Sequence, residues 1–167
     1  MKFAPLVTGE RAAAAMTHRL DFDVSDIPAG IAVNTAYTFN VAPLPLLKAS
    51  YVVRRIHCYL SVPFAASADA AFNSTTLSLG DAGSATRWLS AVQINANGSP
   101  TLTTFPGAAE NTIYTANSQI QIVLTPSPAS KTLSSLNVGK FYVLFAIDYG
   151  ADPARRQNPP FSGLGYT

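Results

Sequence analysis

The stretch Gly139-Lys-Phe-Tyr-Val-Leu-Phe-Ala-Ile-Asp-Tyr-Gly150 decides the fold class. Read as an extended strand, it puts Phe141, Val143, Phe145, Ile147 and Tyr149 on one face and Tyr142, Leu144 and Ala146 on the other. A strand apolar on both faces must be covered on both, which predicts the central strand of a packed sheet. Aromatic and β-branched residues fill it, and a glycine bounds each end. The rest of the chain reads as segments that cover it.

Working outward, Thr17 to Val24 alternates, with Leu20, Phe22 and Val24 against Arg19, Asp21 and Asp23. Thr35 to Val41 turns Tyr37, Phe39 and Val41 inward before Pro43 and Pro45 stop it. Ala49 to Ala65 is the longest candidate. Val52, Ile56, Cys58, Leu60, Val62 and Phe64 line one side, with Arg54 out of pattern. Tyr51, Val53, Arg55, His57, Tyr59 and Ser61 line the other, and Pro63 predicts an edge or a bulge at that end.

Asn73 to Leu79 follows, then the turn Gly80-Asp-Ala-Gly83, then Thr86 to Leu89 running away from it. Ser90 to Asn95, Thr101 to Phe105 and Thr112 to Thr115 are weaker strands, and Asn117 to Thr125 a clear one with Ile120, Ile122 and Leu124 on one face. Pro126 and Pro128 open a connection to the central strand.

Short strands separated by turn residues predict an all-β fold, an antiparallel two-sheet β-sandwich of jelly-roll type. An immunoglobulin-like sandwich is the alternative. The domain spans 17–150. Residues 1–16 read as an N-terminal arm, with one or two helical turns at Arg11 to Met16. Residues 151–167, carrying Pro153, Pro159 and Pro160, read as an extended C-terminal arm.

Composition narrows the function. Charged residues make up 12 % of the 167, about half the usual share of roughly 25 %, which favours a protein that hides surface against neighbours. Net charge is +2, with no basic run beyond Arg54-Arg55 and Arg155-Arg156, so no nucleic-acid partner is expected. The longest apolar run, Phe141 to Ile147, is far short of the ~20 residues that span a bilayer. The only cysteine, Cys58, sits on an apolar face and reads as a small core residue.

His18 and His57 fall on different strands without metal-ligand spacing. His57 and Cys58, adjacent on a strand, point to opposite faces and cannot form a nucleophile–base pair. No catalytic, cofactor or metal residues are assigned. The face carrying Tyr51, Arg55, His57 and Tyr59 mixes aromatics with charge, as protein–protein contacts do. In the tail, Arg155, Arg156, Phe161 and Tyr166 are the expected anchors.

The run Leu77-Ser-Leu-Gly-Asp-Ala-Gly-Ser-Ala-Thr-Arg-Trp-Leu89, followed by Val92 to Asn95, resembles a pattern in small virion proteins of tailed bacteriophages. There a strand ends in a Gly-Asp-x-Gly turn, then a polar stretch, then an Arg-aromatic-Leu segment. The aromatic strand Phe141 to Asp148 is similar to theirs, and the likeness covers about a third of the chain. Ser84-Ala85 departs from it, where a more acidic continuation is expected. The resemblance implies a capsid decoration (cement) protein, made in the host cytoplasm and carried on the capsid surface. Its partners would be the major capsid protein and itself, as a dimer or trimer. A tail or head–tail connector protein is the near alternative. A carbohydrate-binding sandwich is the distant one, and it would need exposed coplanar aromatics, with Trp88 near the Asp81 turn the first candidate.

Overall fold

The computed structural model describes residues 1–5, 16–41, 47–96, 112–127 and 130–148. These residues form nine strands: β1 (Lys2–Pro5), β2 (His18–Asp23), β3 (Tyr37–Asn40), β4 (Val52–Ala65), β5 (Ser74–Asp81), β6 (Ser84–Gln93), β7 (Thr112–Ile113), β8 (Ile120–Ser127) and β9 (Val138–Asp148). One sheet runs β1-β2-β9-β4-β7 and the other β3-β8-β5-β6. Every pairing between named strands is antiparallel.

The pairing identifies the topology. β2 pairs with β9, β3 with β8, β4 with β7 and β5 with β6, as in a long antiparallel ribbon folded at its middle. Rolling that ribbon adds the contacts β9–β4 and β8–β5, which complete the two sheets. This is the jelly roll. The immunoglobulin-like order is not observed.

β9 is the middle strand of the first sheet, and Phe141, Val143, Phe145 and Ile147 are all buried between the sheets. Phe141 stacks on Phe22 with ring centroids 4.9 Å apart, and Phe22 meets Phe39 of the opposite sheet edge-on at 4.9 Å. Farther along, Trp88 of the second sheet meets Phe145 edge-on at 5.9 Å. Offset and edge-on rings bind through their quadrupoles as well as their area, so these pairs fix how the two sheets stack. At the start of β9 a Cβ on Gly139 would lie 2.4 Å from the Phe64 ring. A glycine there is what lets that ring close the core.

Three sequence expectations change, and one, the irregularity at Pro63, holds. β4 does not keep one alternation along its length: Val53 pairs with Ile147 but Arg55 with Ala146, so Arg54 is an extra, bulged residue. That bulge reverses the faces. Tyr51 and Val53 enter the core with Ile56 and Cys58, and Arg54 points out to pair with Asp148 at 3.1 Å. Pro63 falls in a second irregular stretch of β4, between Val62 and Ala65. β8 continues through Pro126, which pairs with Thr75, instead of stopping before it. Residues 2–5, read as part of the N-terminal arm, form the edge strand β1 against β2, and Met16, at the end of that arm, packs on Ala146 and Leu144. Thr101 to Phe105, most of the helical stretch Arg11 to Met16, and the tail 151–167 lie outside the described residues.

Candidate functional site

Two side-chain groupings stand out. The first is built where the hairpin β5–β6 turns. Asp81 ends β5, and its Oδ1 accepts hydrogen bonds from the backbone N–H groups of Gly83 (2.8 Å) and Ser84 (2.9 Å), which tightens the turn. Arg87, three residues into β6, reaches back and donates to both carboxylate oxygens. Tyr114, just past β7 in the other sheet, donates its hydroxyl to Oδ2 at 2.6 Å.

Asp81 is only 1 % exposed, so a bare carboxylate there would be costly and all these donors are needed. Burial alone would raise its pKa, but the bonds from Arg87, Tyr114, Gly83 and Ser84 outweigh burial and hold it below the ordinary carboxylate value. The Tyr114 phenol is pushed the other way, by burial and by the neighbouring carboxylate.

Of the two glycines of the turn, Gly80 is sterically required and Gly83 only tightly fitted. A Cβ on Gly80 would sit 2.0 Å from the Ser84 carbonyl oxygen, and one on Gly83 would crowd Asp81 and Arg87 at 3.2 and 3.3 Å. A cleft of about 440 Å³ opens beside the group, lined by Arg87, Thr112, Tyr114 and Asn117 among others. The Asp81 carboxylate is already saturated by the chain's own donors, so the group acts as a latch between the sheets. Sequence spacing gave no means of linking Tyr114 to Asp81, because the jelly roll brings them together from 33 residues apart.

The second grouping covers the outer face of the first sheet. Tyr142 of β9 stacks on Tyr59 of β4 with centroids 4.9 Å apart and planes 17° apart. His57 also stacks with Tyr59, at 6.2 Å and 18°. The guanidinium of Arg19, from β2, lies over the Tyr142 ring at 4.3 Å and donates to Asp21 at 2.8 and 2.9 Å. Cation–π and stacking contacts therefore run continuously across three strands. Among the described residues His57 Nδ1 is buried without a hydrogen-bond partner. Tyr59, Val62 and Val138 stand exposed on the same two central strands.

The chain matches no family model, no curated protein and no solved structure. The site is therefore read from its own geometry.

Of the expected contact residues, Arg55, His57 and Tyr59 do share this outer face. Tyr51 does not: it is 7 % exposed and belongs to the core, because the Arg54 bulge turns it inward. Arg155, Arg156, Phe161 and Tyr166 lie outside the described residues. Arg19, read on the polar face of its strand, and Tyr142 were not named as members of this grouping. The alternation of β9 already placed Tyr142 and Leu144 off the core face, and pairing β9 with β2 and β4 would have found the rest.

Trp88 is 6 % exposed and packed on Phe145, so it offers no platform to a sugar ring. Cys58 lies in the core, where burial pushes its thiol up to about 12, while His57 faces outward. Among the described residues no three His, Cys, Asp or Glu side chains converge as metal ligands would.

Proposed function

We propose that the chain is a non-enzymatic structural protein of a tailed-phage virion, of the capsid decoration (cement) type. The observation that carries this reading is the behaviour of the run on which the resemblance rests. Its marked residues, Gly80, Asp81, Gly83 and Arg87, meet in one latch around the buried Asp81 carboxylate, and its Trp88 and Leu89 enter the core. The run is thus a structural unit of the fold, which supports the reading as a shared motif would. The jelly roll supports the reading by fold analogy alone, since capsid and lectin domains both use it.

Cementing works by covering seams between shell subunits. A standard interface buries about 1,600 Å², and repetition over a symmetric shell adds avidity to contacts that are weak singly. In this reading Arg55, His57 and Tyr59 are contact residues toward the major capsid protein or a neighbouring copy, with Arg155, Arg156, Phe161 and Tyr166 as further anchors. The test is to mix the purified chain with capsids that lack it and follow co-sedimentation and heat release of DNA. Saturable binding and a higher release temperature are expected. Capsids that neither retain the chain nor gain stability would remove the decoration role.

A further inference from the structure

The cleft beside the Asp81 latch is bordered by β7, the edge strand of the first sheet. Just past β7, Tyr114 turns both of its backbone groups toward the β4 side. Its N–H donates to the Tyr51 carbonyl at 3.0 Å, and its carbonyl accepts from the Ser50 N–H at 2.7 Å. Backbone groups alternate sides along a strand, so the N–H and C=O of Ile113, which lies opposite Val52, point away from β4. Among the described residues nothing pairs with them. The Ile113 side chain, at 68 % exposure, is the most open large apolar group among the same residues.

The rest of the lining supplies donors that the chain's own bonds already hold in place. Arginine carries five N–H groups. In Arg87 the Nε and Nη2 groups donate to Asp81, and the remaining donors belong to a side chain that lines the cleft and is 32 % exposed. The Asn117 Oδ1 accepts from the Ala49 N–H at 3.2 Å, which leaves its amide N–H groups to the cleft it lines. Groups fixed in this way need little further ordering when they bind. Asp81 cancels the charge of Arg87, and no other lining residue is charged.

We propose that this cleft receives a short, extended, uncharged peptide segment of a partner protein, added as a strand at the open edge of Ile113. The segment's backbone N–H and C=O pair with those of Ile113, in the mode by which extended peptides lengthen a sheet. A further carbonyl of the segment accepts from Arg87 or Asn117. Sugar hydroxyls would also satisfy those two donors, but the N–H and C=O presented together by one edge residue match a peptide backbone. At about 440 Å³ the cleft falls in the range of roughly 300–1,000 Å³ usual for ligand sites. The two-residue length of β7 limits the grip to a few residues of the partner. The inference names what the cleft takes and holds whether or not the chain rides on a capsid.

Nuclear magnetic resonance of the isotope-labelled full chain, titrated with the acetylated and amidated peptide Thr-Val-Gln-Val-Thr, tests it. Saturable shifts are expected at the Ile113 amide and at the side-chain N–H signals of Arg87 and Asn117, with a dissociation constant of about 1 mM or below. Methylating the peptide's three central nitrogens removes the donors a strand must offer and is expected to weaken binding about tenfold or more. Asn117→Asp keeps the acceptor that holds Ala49 but replaces the donor by an oxygen. It is expected to weaken binding several-fold, and the spectrum of the variant itself reports that it is folded. Maltotriose at the same concentrations is expected to leave these signals in place. No shifts up to a few millimolar peptide overturn the proposal, as do shifts lying outside the cleft. Binding that tolerates both the methylated peptide and Asn117→Asp overturns it too, and a cleft that answers to maltotriose in place of the peptide is a sugar site instead.

Discussion

Asp81→Asn is expected to lower the folding stability by about 3 kcal/mol, measured as a shift in the urea midpoint. The substitution keeps volume but replaces an acceptor oxygen by a donor, facing Arg87, the Tyr114 hydroxyl and two turn N–H groups. Each stranded donor costs on the order of 1–3 kcal/mol when buried, and removing one partner of a buried ion pair costs more than the pair contributes. Arg87 is 32 % exposed and can turn to water, which keeps the estimate at the lower end. Tyr114→Phe removes one donor from a carboxylate that keeps its others, so only about 1 kcal/mol is expected.

The same group sets a pH dependence. The Asp81 carboxyl is lowered in the folded state, so its stabilisation is complete above the unfolded-state value, near 3.9, and is lost as pH falls through the folded value. Wild-type stability is therefore expected to decline on acidification below about pH 5, and the gap to Asp81→Asn to narrow over that window. Asp23, held low by the Ser25 backbone N–H, and Asp69, held low by Lys131, give both proteins a common slope of the same sign. Subtracting one curve from the other isolates Asp81. A constant gap from pH 7 down to acid unfolding would show that the carboxylate's charge plays no part in the latch.

Phe141→Ala is expected to cost about 3–5 kcal/mol, a large part of the 5–15 kcal/mol typical of a whole domain. The ring is fully buried at the centre of the sandwich, stacked on Phe22 and tilted against Phe64 at 6.1 Å. Its neighbours come from two other strands of the same sheet, and Phe22 in turn carries the contact to Phe39 across the gap. A cavity there cannot close by moving one side chain. Tyr142→Ala, one position along on the outer face, is the comparison: it is only half-buried and should cost clearly less. Equal losses for the two would mean that the faces of β9 are not divided into core and surface as described.

The sheet assignment was legible because β9 is apolar on both faces, and its inner residues Phe141 to Ile147 were named from alternation alone. β2, β3, β5 and β8 were read the same way, from period-two patterns that any half-buried strand must show. β4 was misread at one end because a bulge adds a residue without any glycine or proline to announce it. A single inserted position exchanged the roles of Tyr51 and Val53 between surface and core. The latch was half visible: Gly80 to Gly83 reads as a turn, and Arg87 follows at a fixed distance. Tyr114 was not visible, since only the rolled topology carries it to Asp81. The aromatic column on the outer face depends likewise on cross-strand register, which local patterns do not specify.

The proposed role is tested most directly by counting copies of this chain in purified virions, by quantitative mass spectrometry against the major capsid protein. Hundreds of copies, in simple proportion to the shell protein, are expected. A few to some tens would move the chain to the tail or the head–tail connector, and absence from the particle would contradict the structural role altogether.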